Sequence, residues 1–167
     1  MSHEGRIVQI SISAGGVPKR PVDEARVTTD GLDGDGYRNT RYHGGPDRAL
    51  CLYSIERIRS LASEGHPIVP GSIGENVTIE GLEWSAVTPG TRMRLGEHVL
   101  IEVTRYTTPC FNITSSFTDG NYSRVSQKQQ PGASRVYARV LTEGVIRRDD
   151  RVRLLKDEAA LLAGNEP

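Results

Sequence analysis

The run Arg105-Tyr106-Thr107-Thr108-Pro109-Cys110-Phe111-Asn112 holds the residue type with the sharpest chemistry in the chain. A cysteine thiolate is a nucleophile, a soft metal ligand and a carrier of sulfur, and a neighbouring cation lowers its pKa. Arg105 is close enough in sequence to be that cation. Cys110 beside Phe111 also fits a small buried hydrophobe, so the residues before it matter. From His98 to Arg105 the chain alternates, with Val99, Ile101 and Val103 on one face and His98, Leu100, Glu102 and Thr104 on the other. That is the pattern of a half-buried strand. Pro109 lacks the N–H that a sheet ladder needs, so the strand is expected to stop at or before it. Cys110 then stands at the end of a rigid element, where its sulfur could be aimed into a pocket.

Other chemistries find little support. The second cysteine, Cys51, lies in the apolar run Ala49-Leu50-Cys51-Leu52-Tyr53 and reads as structural. Two cysteines are too few for an iron–sulfur cluster, and the 4 histidines (His3, His43, His66, His98) show no zinc-site spacing. Lysine plus arginine and aspartate plus glutamate are equal at 21 each. Net charge therefore gives no reason to expect a nucleic-acid polymer or an anionic membrane as partner. An anionic ligand would need a local basic cluster. With 167 residues, 36% of them hydrophobic, and with no apolar stretch of membrane-spanning length, one soluble cytoplasmic domain over residues 1–167 is expected.

The elements that must position these residues are mostly short strands. Ile7 to Ser13 alternates, with Val8, Ile10 and Ile12 on one face, and a second strand-like stretch passes through Ala25 and Val27. Between Gly31 and Asp47 lies a glycine-rich loop carrying Asp35, Arg38, Arg41 and His43, suited to tight turns or to ligand contact. Ser54 to Gly65 is the clearest helix: Ser54 caps it, Ile55, Ile58, Leu61 and Ala62 form its apolar face, and Gly65 stops it. The turn Gly71-Ser72-Ile73-Gly74-Glu75-Asn76 could hold a polar ligand, or Glu75 could simply cap it; it lacks the lysine and spacing of a P-loop. Residues 112–131 suggest a short helix and a mobile loop. Val136, Ala138 and Val140 alternate in a strand that Gly144 ends, Val152 and Leu154 mark a last one, and Asp157 could cap a brief terminal helix. Many short strands with one good helix point to a mainly β fold, a closed or nearly closed β-barrel with a few short helices.

Lys19-x-Pro21-Val22, Gly31-Leu32-x-Gly34-Asp35 through His43-Gly44-Gly45, Gly71-x-x-Gly74-Glu75-Asn76 and Pro109-Cys110 occur in an order that resembles the MOSC domain family (molybdenum cofactor sulfurase C-terminal domains and stand-alone bacterial relatives). Val136-Tyr137-x-x-Val140-Leu141 to Gly144 looks like the family's closing strands. The resemblance implies a pyruvate-kinase-like β-barrel with its site around Cys110, as thiolate ligand to molybdenum in a pterin cofactor (molybdopterin) or as a persulfide. It also implies reduction of small N-hydroxylated compounds in catalytic members and, at family level only, an association with pyridoxal phosphate. Departures from the pattern are Asp149-Asp150 in place of a Gly-Asp turn, Arg135 where glycine is common, and Gly36-Tyr37-Arg38-Asn39.

On the first reading, a molybdenum-cofactor oxidoreductase, Cys110 is the metal ligand and catalytic centre. Lys19, Arg20, Arg41, Arg105 and Arg139 are candidates for the cofactor phosphate, Asn76 for polar pterin edges, and His43 for the site or for bracing its loop. With no dinucleotide fingerprint, haem motif or cluster in the sequence, electrons are expected from a separate donor, a flavoprotein reductase. On the second reading Cys110 carries a persulfide to metal–sulfur centres. On the third the chain is a non-enzymatic binding module with Cys110 buried.

Overall fold

The inward alternation expected at Val99, Ile101 and Val103 recurs through most of the molecule. The structure, a computed structural model, describes residues 3–36 and 45–155. The expected helix after Asp157 lies outside the described residues. In chain order come strands β1 (Glu4–Ile12), β2 (Arg20–Val22), β3 (Glu24–Thr28), β4 (Gly31–Leu32) and β5 (Leu50–Ser54), helix α1 (Ile55–Ser63), then β6 (Val77–Glu80), β7 (Arg92–Leu95), β8 (Val99–Tyr106), β9 (Val136–Thr142), β10 (Gly144–Arg147) and β11 (Arg151–Leu155).

Seven of these strands close on themselves in the order β11–β7–β8–β9–β5–β6–β1, with β1 pairing back onto β11 and β2 continuing beyond β1. The fold is thus mainly β and the barrel is closed, which leaves no free edge in the ring. Every pair in the ring is antiparallel except β5 with β6. A parallel pair needs a crossover, and α1 supplies it. A second sheet, β10–β3–β4, packs alongside.

The barrel lumen is filled. Leu50 and Leu52 of β5, Val136 and Ala138 of β9, and Val99 and Ile101 of β8 are all fully buried. On β1 the structure corrects the expected face: Ile7 and Ile10, not Val8 and Ile12, are fully buried. A β-bulge between Ile7 and Gln9 resets the alternation, so residues three apart both point inward.

Helix α1 forms as its residues dictate. The Ser54 hydroxyl accepts from Arg57 N at 3.2 Å, and Ile55, Ile58 and Leu61 are buried. Gly65, at φ 99°, ends it while donating to the Ala62 carbonyl. The short helix expected in residues 112–131 is present as 3₁₀ segments at Phe111–Ser116 and Tyr122–Val125, and Ile113, Phe117 and Val125 pack the stretch against the core. β9 ends at Thr142, just before Gly144, as expected, and Gly144 also opens β10. Asp149 has a left-handed backbone at φ 75°, which aspartate tolerates better than most residues, and its carboxylate accepts from Arg6.

Among the described residues no helix is long and apolar enough to cross a membrane. Removing the hydroxyl that caps α1, by Ser54→Ala, should cost about 1 kcal/mol of stability, read as a lower urea midpoint with unchanged slope.

Candidate functional site

The ladder of β8 ends one residue past Tyr106, where Thr107 N donates to the Arg135 carbonyl at 3.0 Å. Pro109 follows without a donor, and Cys110 takes an extended backbone (φ −139°, ψ 175°) before the turn at Phe111. Cys110 is exposed and unpaired, not the buried hydrophobe that its neighbour Phe111 suggested. Phe111 itself is 74% exposed.

Cys110 stands in the wall of a cavity of about 230 Å³. The cavity is not the lumen. Cys51 and Tyr137 are paired across β5 and β9 and face opposite to Leu50, Leu52, Val136 and Ala138, because side chains alternate along a strand. The cavity therefore lies against the outer face of β5 and β9. Its other walls are β4, the segment Gly16–Lys19, the turn at Ile73–Gly74, and Thr107 to Ile113.

Three of the sequence motifs meet in one partly buried network at this cavity. Asp35 Oδ2 accepts from Lys19 Nζ at 2.7 Å and from Asn76 Nδ2 at 2.8 Å, and Asp35 Oδ1 accepts from Ser13 N at 2.9 Å. Asn76 Nδ2 also donates to Ser11 O, and its Oδ1 accepts from Cys51 N at 3.0 Å. The Gly71 turn locks onto the same assembly. Gly71 sits at φ +85°, and a Cβ there would come within 2.5 Å of the Lys19 carbonyl, so only glycine fits. Glu75 closes this turn by accepting from Gly71 N at 2.9 Å. The wholly buried Glu75 carboxyl is raised by burial to about 7, against 4.5 ordinarily.

Of the residues singled out in the sequence, Cys110, Lys19 and Asn76 line the cavity. Arg105 is exposed on β8 and does not line it. Arg139 is engaged instead with Glu102, whose carboxyl Arg139 and Arg92 hold below its usual range. Arg41 and His43 lie outside the described residues. The cavity also gathers residues not anticipated as ligand-facing: Cys51, Arg48, Arg135 and Tyr137. Burial pushes the Cys51 thiol up, with Arg135 opposing, and pushes Tyr137 up to about 12. Arg48 stands over the Tyr137 ring at 5.8 Å.

A MOSC domain model matches residues 39–153, more than half of the chain. The chain belongs to the MOSC domain family. YflK of Bacillus subtilis, an uncharacterized protein, is 34% identical over 131 residues, or 77% of this chain. A protein named "Reductase" from Gibberella moniliformis is 29% identical over 75% of the chain. The chain spans only 58% of YflK and 23% of the reductase. Among solved structures, YiiM of Geobacillus stearothermophilus superposes with a TM-score of 0.72 at 26% identity, over 91% of this chain and 75% of that one.

In this MOSC domain the residues missed in the sequence had a usable signal. Tyr137 and Arg139 share one face of β9, opposite Val136, Ala138 and Val140, and Arg135, just before the strand, continues the same alternation. Only closeness to the Thr107 end of β8 separates Arg135, in the cavity wall, from Arg139, outside it. Among the described residues no cluster of three or more His, Cys, Asp or Glu is placed to hold a metal by itself.

Two measurements probe this wall. Asp35→Ala strands Lys19 Nζ and removes one of the two acceptors of Asn76 Nδ2, and the Lys19–Asp35 pair is only 12% and 11% exposed. Breaking it should cost about 3 kcal/mol or more, read from the urea midpoint. Glu75 binds its proton more tightly folded than unfolded, so its stabilising contribution is present below about pH 4.5 and is lost as pH rises to about 7. Glu75→Gln keeps an oxygen for Gly71 N and should flatten the fall in stability across that window, seen as the difference between wild-type and variant urea midpoints against pH.

Proposed function

We propose that this MOSC protein binds a molybdenum–pterin cofactor, with Cys110 as the protein's ligand to the metal, and reduces small N-hydroxylated compounds. The observation that carries the reading is the position of Cys110: unpaired and exposed, at the end of β8, in the wall of a walled cavity. A relative named as a reductase adds support.

The residues present fit such a group. A thiolate is a soft donor suited to molybdenum, and one protein ligand suffices where the pterin brings sulfur ligands of its own. Thr107, Thr108 and Asn112 offer polar groups close to Cys110 in the wall. Lys19 is the one lysine among the described residues of the wall, and its ammonium is held by Asp35. That disfavours a Schiff base and hence pyridoxal phosphate. When bound, the cofactor supplies two-electron oxidation–reduction at its metal. The protein's part is to hold the Cys110 sulfur in place, to keep the Asn76–Asp35–Lys19 wall rigid, and to present the Tyr137 hydroxyl. Tyr137 keeps its proton through neutral pH, so Oη can donate a hydrogen bond to an N-hydroxyl oxygen held in the cavity. Glu75 lies behind the turn rather than in the cavity wall, and serves Gly71.

Electrons come from a separate flavoprotein donor. A reducing, cytoplasmic setting suits two unpaired cysteines. A second reading, sulfur carriage by a Cys110 persulfide, is favoured by the exposure of Cys110 and Phe111 together, since delivery to a partner protein needs an accessible sulfur.

Freshly purified wild-type protein should contain molybdenum and pterin and should reduce a hydroxylamino-base analogue with a reduced dye, while Cys110→Ser loses the metal and the turnover. Equal turnover in Cys110→Ser would sink the reductase reading. An added sulfur on Cys110 in the intact mass, without metal, would shift the assignment to the carrier.

A further inference from the structure

Arg135 is a charge in the cavity wall that the proposed chemistry leaves unused. It precedes Val136 at the start of β9, and its side chain lines the cavity beside Ile73, Gly74 and Cys51. The residue is only 6% exposed. Nη1 donates to the Ile73 carbonyl. Nε is buried and, among the described residues, has no acceptor. A guanidinium carries five donors in a fixed fork, and a cation out of water with an unmatched donor is costly unless an anion faces it.

The acids nearby do not answer it. Asp35 is committed to Lys19, Asn76 and Ser13, so it also cancels the charge of Lys19. Glu75 is within electrostatic reach, but its Oε1 is taken by Gly71 N. Its carboxyl titrates at about 7, so near neutrality it is ionised in only part of the population. Asp30 is exposed. Arg48 lies over Tyr137 and adds positive rather than negative charge. Glu75 Oε2 is itself buried without a hydrogen-bond partner and makes no bond to Arg135, so the inner wall is left with a buried cation that no carboxylate contacts directly.

We propose that Arg135 makes the inner wall of the cavity an oxyanion subsite, which takes a phosphate or carboxylate group of the bound ligand on its guanidinium. Charge-assisted pairing of this kind is strong and directional. The subsite rests on the cavity being a ligand site, and not on molybdenum being the metal. The oxyanion would be either a phosphate on the cofactor or a carboxylate on the substrate, and these sources are separable.

The test uses the full chain freed of metal, titrated with inorganic phosphate and separately with acetate. The Nε–Hε resonance of Arg135 is followed by NMR in the wild type, and the thermal midpoint is followed in all variants. One of the anions should shift that resonance saturably and raise the midpoint. Affinity should fall at least about tenfold in Arg135→Gln, should be partly restored in Arg135→Lys, and should be unchanged in Arg139→Gln, whose side chain engages Glu102. Saturation by phosphate alone assigns the subsite to a phosphate-bearing ligand; saturation by acetate assigns it to a carboxylate. No saturable shift of the Arg135 resonance with either anion overturns the proposal, as does equal affinity in Arg135→Gln. The wild-type resonance decides the matter if Arg135→Gln does not fold. Molybdenum is assayed in the same preparation before it is removed. Anion binding without molybdenum leaves the subsite standing and removes the cofactor reading; molybdenum with an unresponsive Arg135 does the reverse.

Discussion

The carboxylate of Asp35 is the constraint on which the site depends. It lies in an irregular segment after β4, yet three donors from three parts of the chain converge on it: Ser13 N beyond β1, Lys19 Nζ before β2, and Asn76 Nδ2 before β6. Two charges out of water rarely contribute much net stability, but each becomes expensive if its partner is taken away. The network therefore acts less as a source of stability than as a specification of geometry. Loops that could take many paths share one path because only that path satisfies every donor.

From that hub the wall is built outward. Asn76 passes the restraint to β5 through Cys51 N, and the Gly71 turn, too tight for any Cβ, seats the Lys19 backbone. One side of the cavity is thus held by a continuous set of hydrogen bonds. The other side is less committed. Cys110 follows a proline, is exposed, and precedes a 3₁₀ turn whose cap has no side-chain hydrogen bond. Preorganised polar surroundings beside an uncommitted sulfur suit chemistry at a thiolate better than a merely structural cysteine would.

Much of this was legible in the sequence, and the reasons are local. The Val99–Ile101–Val103 alternation and the Ser54 cap depend on neighbours within a few residues, so β8 and α1 could be read directly. The bulge in β1 could not, because an extra residue shows only against its partner strand. Strands as short as β4 leave no periodicity to detect. The motif residues Lys19, Asp35 and Asn76 were visible as candidates for ligand contact, but their mutual bonds span long separations in sequence, and only the fold shows that Asn76 spends its amide inside the protein. Arg105 attracted attention as a cation near the cysteine, and Arg139 as a candidate for the cofactor phosphate. The register of β8 against β9 directs Arg139 to Glu102 and gives the place in the wall to Arg135, noted in the sequence only as an oddity.

Filling the barrel lumen while hanging the cavity on its outside separates two tasks that many barrels combine. On β5 and at the start of β9, Leu50, Leu52, Val136 and Ala138 belong to the solid interior, while Cys51, Arg135 and Tyr137 belong to the cavity wall. Exchanges at 51, 135 or 137 can therefore alter what the cavity accepts with little disturbance of the packing that folds the chain. Such a scaffold lends itself to change at the cavity around a hydrocarbon centre that need not change with it.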